Sequence, residues 1–325
     1  MPDQKIDKSS TEDFDIEKID QDLFQIIGPQ NEENERITSK PYSYWKTVGS
    51  ILCKNWIFLV CSAVLLVIIL LAAIVPIGKI AVPKPGDITW DITQKDPSWD
   101  HWFGLGIQGE DFWNKIWIGT RTTLIFAVTI SVIQIILGVV IGSIWGYYRR
   151  LDILFIEITR FMSLVPTLIL WLIIIFAFGQ SWIVIVFAVS IVSWIGMAEI
   201  IRIQIILVKN TEYNIASRTL ATPGYKIIGR NIMPKILPII IQTASFSIPG
   251  AIAIDSTLNY FNFGFIKGRE NTSLGKILNE VLANSAWQDF PHLIIIPVAM
   301  IAGISIIVFL VGRVFADSLD PKNHR

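Results

Sequence analysis

The stretch "TEYNIASRTLATPGYKIIGRNIMPK", residues 211–235, is polar, basic and dense in helix signals, yet it lies between two long apolar runs. A loop joining two neighbouring helices needs only a few residues. This one holds two helix-forming segments instead. Thr211 precedes Glu212, an acid suited to the positive end of a helix dipole. That first helix is expected to end near Leu220. Thr222 and Pro223 then read as the cap and first residue of a second helix. The second helix is expected to run to Met233 and stop at Pro234. Tyr213, Ala216 and Leu220 recur on one face of the first helix, and Ile228 and Ile232 pair on the second. Ordered, partly apolar helices in a loop call for a docking partner, either the chain's own helix ends or a separate subunit.

The surroundings place that loop at a membrane. Of 325 residues, 52% are hydrophobic and only 17% charged. The apolar residues are clustered, as a bilayer demands. A formal net charge of +0 gives no reason to expect a nucleic-acid partner. Cys53 and Cys61 read as small buried hydrophobes, without a disulfide framework. His101, His292 and His324 are scattered, so no metal site is expected. A span needs about 20 mostly apolar residues. Six runs qualify: residues 56–77, 122–147, 153–178, 181–208, 236–261 and 291–315. Only Gly179 and Gln180 separate the third from the fourth, which predicts a tight helical hairpin. The fold class is therefore all-α and polytopic, with six transmembrane helices.

Lys and Arg in short loops set the orientation. Arg149, Arg150, Lys209, Arg218, Lys226, Arg230, Lys235, Arg313, Lys322 and Arg325 fall on the side of the N-terminus. The opposite loops, residues 78–121 and 262–290, mix bases with acids. Both termini and the quoted stretch are thus expected in the cytoplasm. The chain divides into an acidic, largely disordered tail (1–44), a first span (45–80), a Trp-rich outer loop (81–117), a five-helix core (118–317) and a short C-terminal tail (318–325). No basic, apolar leader pattern opens the chain, so no cleavable signal is expected. Trp90, Trp99, Trp102, Trp113 and Trp117 suit either a segment at the headgroup level or a contact for an external partner.

Catalytic motifs are missing. The closest approach to a phosphate-binding loop is "GRENTSLGK", residues 268–276, whose spacing is too long and whose Lys has no Ser or Thr after it. Neither a zinc-hydrolase nor a serine-hydrolase signature occurs. Charges in or beside the spans are few and are functional suspects by default. Glu157 with Arg160, and Glu199 with Arg202, are each three apart and read as intrahelical ion pairs. Asp255 has no basic neighbour in sequence. It reads as a hydrogen-bonded structural acid or as a residue on a wet passage.

The quoted stretch resembles the cytoplasmic "EAA" loop of bacterial ATP-binding-cassette importer permeases. It is most similar to the oligopeptide/dipeptide/nickel group, of the oligopeptide permease C type. The resemblance runs through Ala198, Glu199 and Arg202, then Tyr213, Ala216, Ser217, Arg218, Leu220 and Ala221, then Ile227, Arg230, Asn231, Met233, Pro234 and Lys235. It continues in "GTR" (119–121), "GYYRRLD" (146–152), Pro166 where the family breaks its third span, and "DSLDPK" (317–322). Three positions depart: Ala221 replaces a glycine, Asn231 a histidine and Lys235 an asparagine. Ala restricts φ where Gly does not, and Gly224 is expected to supply the bend instead.

The resemblance implies the type I importer fold and a role as one of two membrane subunits, not an enzyme itself. It implies a paralogous permease as partner in a heterodimer, two cytoplasmic ATPase subunits that bind ATP and Mg, an external substrate-binding protein, and a peptide substrate. It places the chain in the bacterial plasma membrane with no cofactor of its own. The coupling loop would comprise Glu212, Tyr213, Ala216, Ser217, Arg218, Leu220, Ala221, Gly224, Ile228, Arg230 and Pro234. Asp255 and Pro166 would lie on the pathway or the permease interface. The alternative is a secondary transporter or channel without ATPase partners. It predicts coupling acids inside the spans and an inverted repeat, and neither is evident.

Overall fold

A computed structural model describes residues 44–83, 96–284 and 286–320 of the chain. The acidic tail, Trp90 and the end of "DSLDPK" lie outside the described residues. Regular structure among the described residues is helical, apart from one isolated bridge between Leu105 and Asp111. In chain order the helices are α1 (Tyr44–Lys54), α2 (Trp56–Ile74), α3 (Phe112–Tyr147), α4 (Arg149–Leu164), α5 (Thr167–Phe178), α6 (Trp182–Lys209) and α7 (Glu212–Thr219). They are followed by α8 (Gly224–Tyr260), α9 (Leu274–Ala283) and α10 (His292–Leu319). Five of them, α2, α3, α6, α8 and α10, are long and apolar enough to cross a membrane. The α4–α5 pair passes the same test together but is bent by 79°.

The bend has a local cause. Val165 precedes a proline and is extended (φ −94, ψ 125), and Pro166 opens α5. At the other end of α5, Gly179 has φ 90 and ψ 162, a conformation open essentially to glycine, and Ser181 caps α6 by accepting from Val184 N. The expected hairpin forms there.

Helix α3 starts at Phe112, not at the first residue of its apolar run. Asp111 caps it by accepting from Trp113 N. At 1.5 Å per residue its 36 residues span about 54 Å, well beyond a ~30 Å hydrocarbon core. Trp113 and Trp117 are therefore part of this helix, packed edge to face at 5.5 Å. Trp99 and Trp102 remain exposed before it.

The bundle is organised on α3, which packs along α6 and α8. Gly138, Gly142 and Gly146 form a stripe along one face of α3. A Cβ on Gly142 would lie 2.6 Å from the Ala198 carbonyl oxygen, and one on Gly146 would lie 2.8 Å from that of Arg202. Small residues let two helix backbones close up, which is how helices associate where lipid removes the hydrophobic drive. Phe126, Ile130, Trp171, Ile175, Ile185 and Leu258 form one buried cluster, and Met197, Ile201, Ile205, Ile227, Ile232 and Ile236 another. Helix α2 is apolar all round and buries only Ala72. It sits at the edge, against α10 and α3. Cys53 is exposed and Cys61 half-buried, so neither is the buried hydrophobe expected. They lie on α1 and on the outer-facing α2, which have little core to enter.

Candidate coupling site

Helix α6 ends at Lys209, and α7 follows after a two-residue turn. Thr211 holds the N-cap position, but its hydroxyl donates back to the Val208 carbonyl instead of capping α7. The side chain that fixes the corner is Asn214, wholly buried. Its Nδ2 donates to the Val208 carbonyl at 2.9 Å and to Thr211 Oγ1 at 3.2 Å. Its Oδ1 accepts from Asn231 Nδ2 at 3.2 Å, and the same amide donates to Ser217 Oγ at 3.1 Å. Asn231 thus stitches α7 to the start of α8. Arg218 donates to the Lys209 carbonyl, and Lys209 Nζ donates to the Gly146 carbonyl at 2.7 Å. The short helix is tied through these bonds to the ends of α6, α8 and α3.

Three expectations for this loop are corrected. First, the turn does not use Gly224. Ala221 itself takes the left-handed conformation, with φ 56. Gly224 is needed for space, since a Cβ there would lie 2.7 Å from Tyr147 Cε1. Pro223, expected inside the second helix, is its N-cap. Second, Pro234 does not stop that helix. The chain runs unbroken from Gly224 to Tyr260 through a π-helical stretch, Ile227–Ile232. Pro234 then falls in the first turn of the α-helical part, where a missing N–H is tolerated. Third, Tyr213 does not share an exposed stripe with Ala216 and Leu220. Its ring lies 3.6 Å below Lys235 Nζ, a cation–π contact. The exposed apolar surface is Ile215, Ala216 and Leu220, with Tyr225 beside them. Ile227 joins Ile232 in the core, and Ile228 is half-buried. Glu212, Arg218, Arg230 and Pro234 are exposed, and Ser217 is half-buried.

An alanine at φ 56 stores strain that glycine would not, so Ala221→Gly is expected to stabilise the loop by on the order of 0.5–1 kcal/mol. Slower amide exchange over residues 214–224 is the readout, and Ala221→Val is expected to speed it.

The charged pairs divide. Glu157 and Arg160 meet at 3.1 Å on the exposed side of α4. Glu199 and Arg202 do not meet. Arg202 instead reaches Asp152 at 2.7 Å, and Trp145 Nε1 donates to the same carboxylate oxygen at 2.8 Å. The guanidinium also lies 5.1 Å from the Trp145 ring centre. A carboxylate already oriented by an indole N–H offers a better-fixed partner than an exposed glutamate on the same helix. Asp152 is visible in "GYYRRLD", but its partner lies on another helix.

Asp255 is enclosed by this chain's own helices. It is 1% exposed, inside the chain's own core. It accepts from Thr123 Oγ1 at 3.0 Å and Asn259 Nδ2 at 2.8 Å. A polar cluster among α3, α8 and α9 satisfies it, so it needs no external partner. Pro166 is exposed at the α4–α5 break. Sequence reasoning also missed Lys115, which is buried between Glu110 (2.6 Å) and Glu280 (2.7 Å).

Apolar helices long enough to cross a membrane, joined by a helical loop that presents a small apolar patch, define a polytopic membrane protein. The chain belongs to the family of binding-protein-dependent transport system inner membrane components, which it matches over residues 134–325. It is 32% identical over 311 residues to the oligopeptide transport system permease protein AmiD of Streptococcus pneumoniae, covering 94% of this chain and 99% of that protein. It is 28% identical to the oligopeptide permease OppC of Bacillus subtilis, over 94% of this chain and 99% of the relative. It is 27% identical to the dipeptide permease DppC of the same organism, over 95% of each. The chain is accordingly a permease component of an ABC transport system and is not the catalytic subunit.

Proposed function

We propose that this chain forms half of a peptide translocation pathway in an ATP-driven importer. A paralogous permease supplies the other half, and an external binding protein delivers the peptide. Two cytoplasmic ATPases, which hold ATP and Mg, grip α7. Both termini and α7 then lie in the cytoplasm, where the basic loops favour them. The peptide cargo rests on the likeness to oligopeptide and dipeptide permeases along nearly the whole chain.

The observation that carries the coupling role is the exposed set Ile215, Ala216 and Leu220 on a helix otherwise bonded to α6 and α8. A lever needs one free face and a stiff mount. ATP shifts the transport equilibrium only through its different affinity for the two conformations, and a loose helix would not pass that difference on. Ala216→Asp places a carboxylate in the docked contact, at a cost of several kcal/mol if unpaired. The ATPases are expected to be lost on purification, and peptide uptake with them, while membrane insertion stays normal. Full assembly and uptake in that variant would refute the docking role. Uptake that ignores peptides but takes another solute would refute the cargo alone.

A further inference from the structure

Two cavities share one wall on the α3–α6 side of the bundle. The first, of ≈ 550 Å³, lies among Arg121, Thr122, Trp182, Phe265 and Lys267. The second, of ≈ 500 Å³, runs along α3 and α6 between Ile133, Leu137, Val186, Phe187 and Trp194. Trp182 lines both. Its ring is held edge-on to Phe265 at 4.6 Å and to buried Phe126 at 5.6 Å, so this shared wall is fixed.

The two cavities differ in chemistry. The first holds two cations. Among the described residues neither Arg121 nor Lys267 forms an ion pair, unlike Lys115, Arg160, Arg202 and Arg313. The second is walled by aliphatic and aromatic side chains, with Ser190 as its one hydroxyl. From Trp182 to Trp194 is about 18 Å along α6 at 1.5 Å per residue. That is about the depth of one leaflet of a ~30 Å hydrocarbon core.

We propose that these two adjoining cavities together bind one anionic phospholipid. Arg121 and Lys267 take the phosphate, and an acyl chain lies along α3 and α6 from Trp182 inward. A phosphate between these two cations gains charge-assisted hydrogen bonds. An acyl chain asks for no hydrogen bonds from the apolar wall. A peptide in the same cavities leaves its backbone groups unpaired, which is costly. The apolar half therefore selects lipid over cargo.

The test uses the native complex in detergent with phosphatidylglycerol carrying a photoreactive group on its acyl chain, against the matching phosphatidylcholine. Adducts are expected on segments 133–137 and 182–194. Phosphatidylglycerol is expected to win by roughly fivefold for each cation in contact. Arg121→Gln with Lys267→Gln is expected to abolish the preference, lowering phosphatidylglycerol labelling far more than that of phosphatidylcholine, whose choline offsets its phosphate. Lys267→Gln alone, at an exposed position, is expected to remove about fivefold without disturbing the fold, and Lys267→Arg to keep the preference. Equal labelling by the two lipids, or adducts confined to other segments, would overturn the proposal. So would suppression of phosphatidylglycerol labelling by a short free peptide added before irradiation, which would assign the cations to a peptide carboxylate.

Discussion

Lys115→Met is expected to leave little folded protein. Lys115 is 2% exposed, and its ammonium lies 2.6 Å from Glu110 and 2.7 Å from Glu280. Glu110 is itself 3% exposed. Its other oxygen accepts from Gln108 N at 2.7 Å, and its carbonyl accepts from Gly106 N, closing the loop that leads into α3. Glu280 comes from α9. The triad therefore fastens the outer loop and α9 to the first turns of α3. Removing the cation leaves two carboxylates facing one another, one of them with almost no water to solvate it. Breaking a buried pair in this way costs on the order of 3–5 kcal/mol, a large part of a typical ~5–15 kcal/mol total. Thermal unfolding in detergent is the measurement, with yield of monodisperse protein beside it. The triple variant Glu110→Gln, Lys115→Met, Glu280→Gln removes the charges together and is expected to recover much of the loss. A Lys115→Met protein that melts like the parent would show that the triad contributes nothing.

The sequence carried the spans because lipid imposes a length and a composition that survive without knowledge of neighbours. It carried the hairpin at Gly179 for the same reason, since two apolar runs two residues apart leave no other solution. It misplaced the start of α3 because a helix continues past its apolar run whenever a cap and packing favour it. Trp113, Lys115 and Trp117 look like loop residues by polarity and belong to the helix by tertiary contact. Pro234 illustrates the converse. A proline reads as a terminator, yet the π-helical turn before it lets the loop helix join the span without a break.

Pairings across helices were the least legible. Periodicity places Glu199 beside Arg202, but it says nothing about Asp152, fifty residues earlier, which takes the arginine. The same holds for Asn214 with Asn231, and for Lys115 with Glu280. The glycines at 138, 142 and 146 are spaced by four, but that spacing gains a meaning only once α6 lies against it. Ala221 carries the cost of the turn, and Gly224 does not relieve it. Gly224 is pinned under Tyr147, so the alanine bears the strain.

Asp255 offers the clearest separation between a structural acid and a proton carrier. Its Oδ2 accepts from Thr123 Oγ1, which in turn accepts from Leu274 N at 2.9 Å. Its Oδ1 accepts from Asn259 Nδ2, which also reaches Ser273 Oγ at 3.2 Å. Ser273 caps α9 by accepting from Lys276 N at 3.1 Å. One carboxylate therefore orders groups on α3, α8 and α9, all of them buried. Asp255→Leu keeps the branched skeleton but is bulkier, and it removes both acceptors. The Thr123 hydroxyl then has no acceptor, and Asn259 loses one of its partners, at about 1–3 kcal/mol for each buried group left unsatisfied. Asp255→Asn keeps an acceptor for Thr123, and Asn259 adapts by turning its own amide. The expected order of melting temperatures is Asp255 first, Asn close below it and Leu far below. Peptide uptake is expected to follow the same order, because α9 and the outer end of α8 move out of place when the cluster fails. Uptake at constant ATP is expected to ignore collapse of the proton gradient, since the acid is sealed among its own helices. Loss of uptake in Asp255→Asn at unchanged melting temperature, or a block by protonophore at constant ATP, would make the group a proton carrier and overturn the structural assignment.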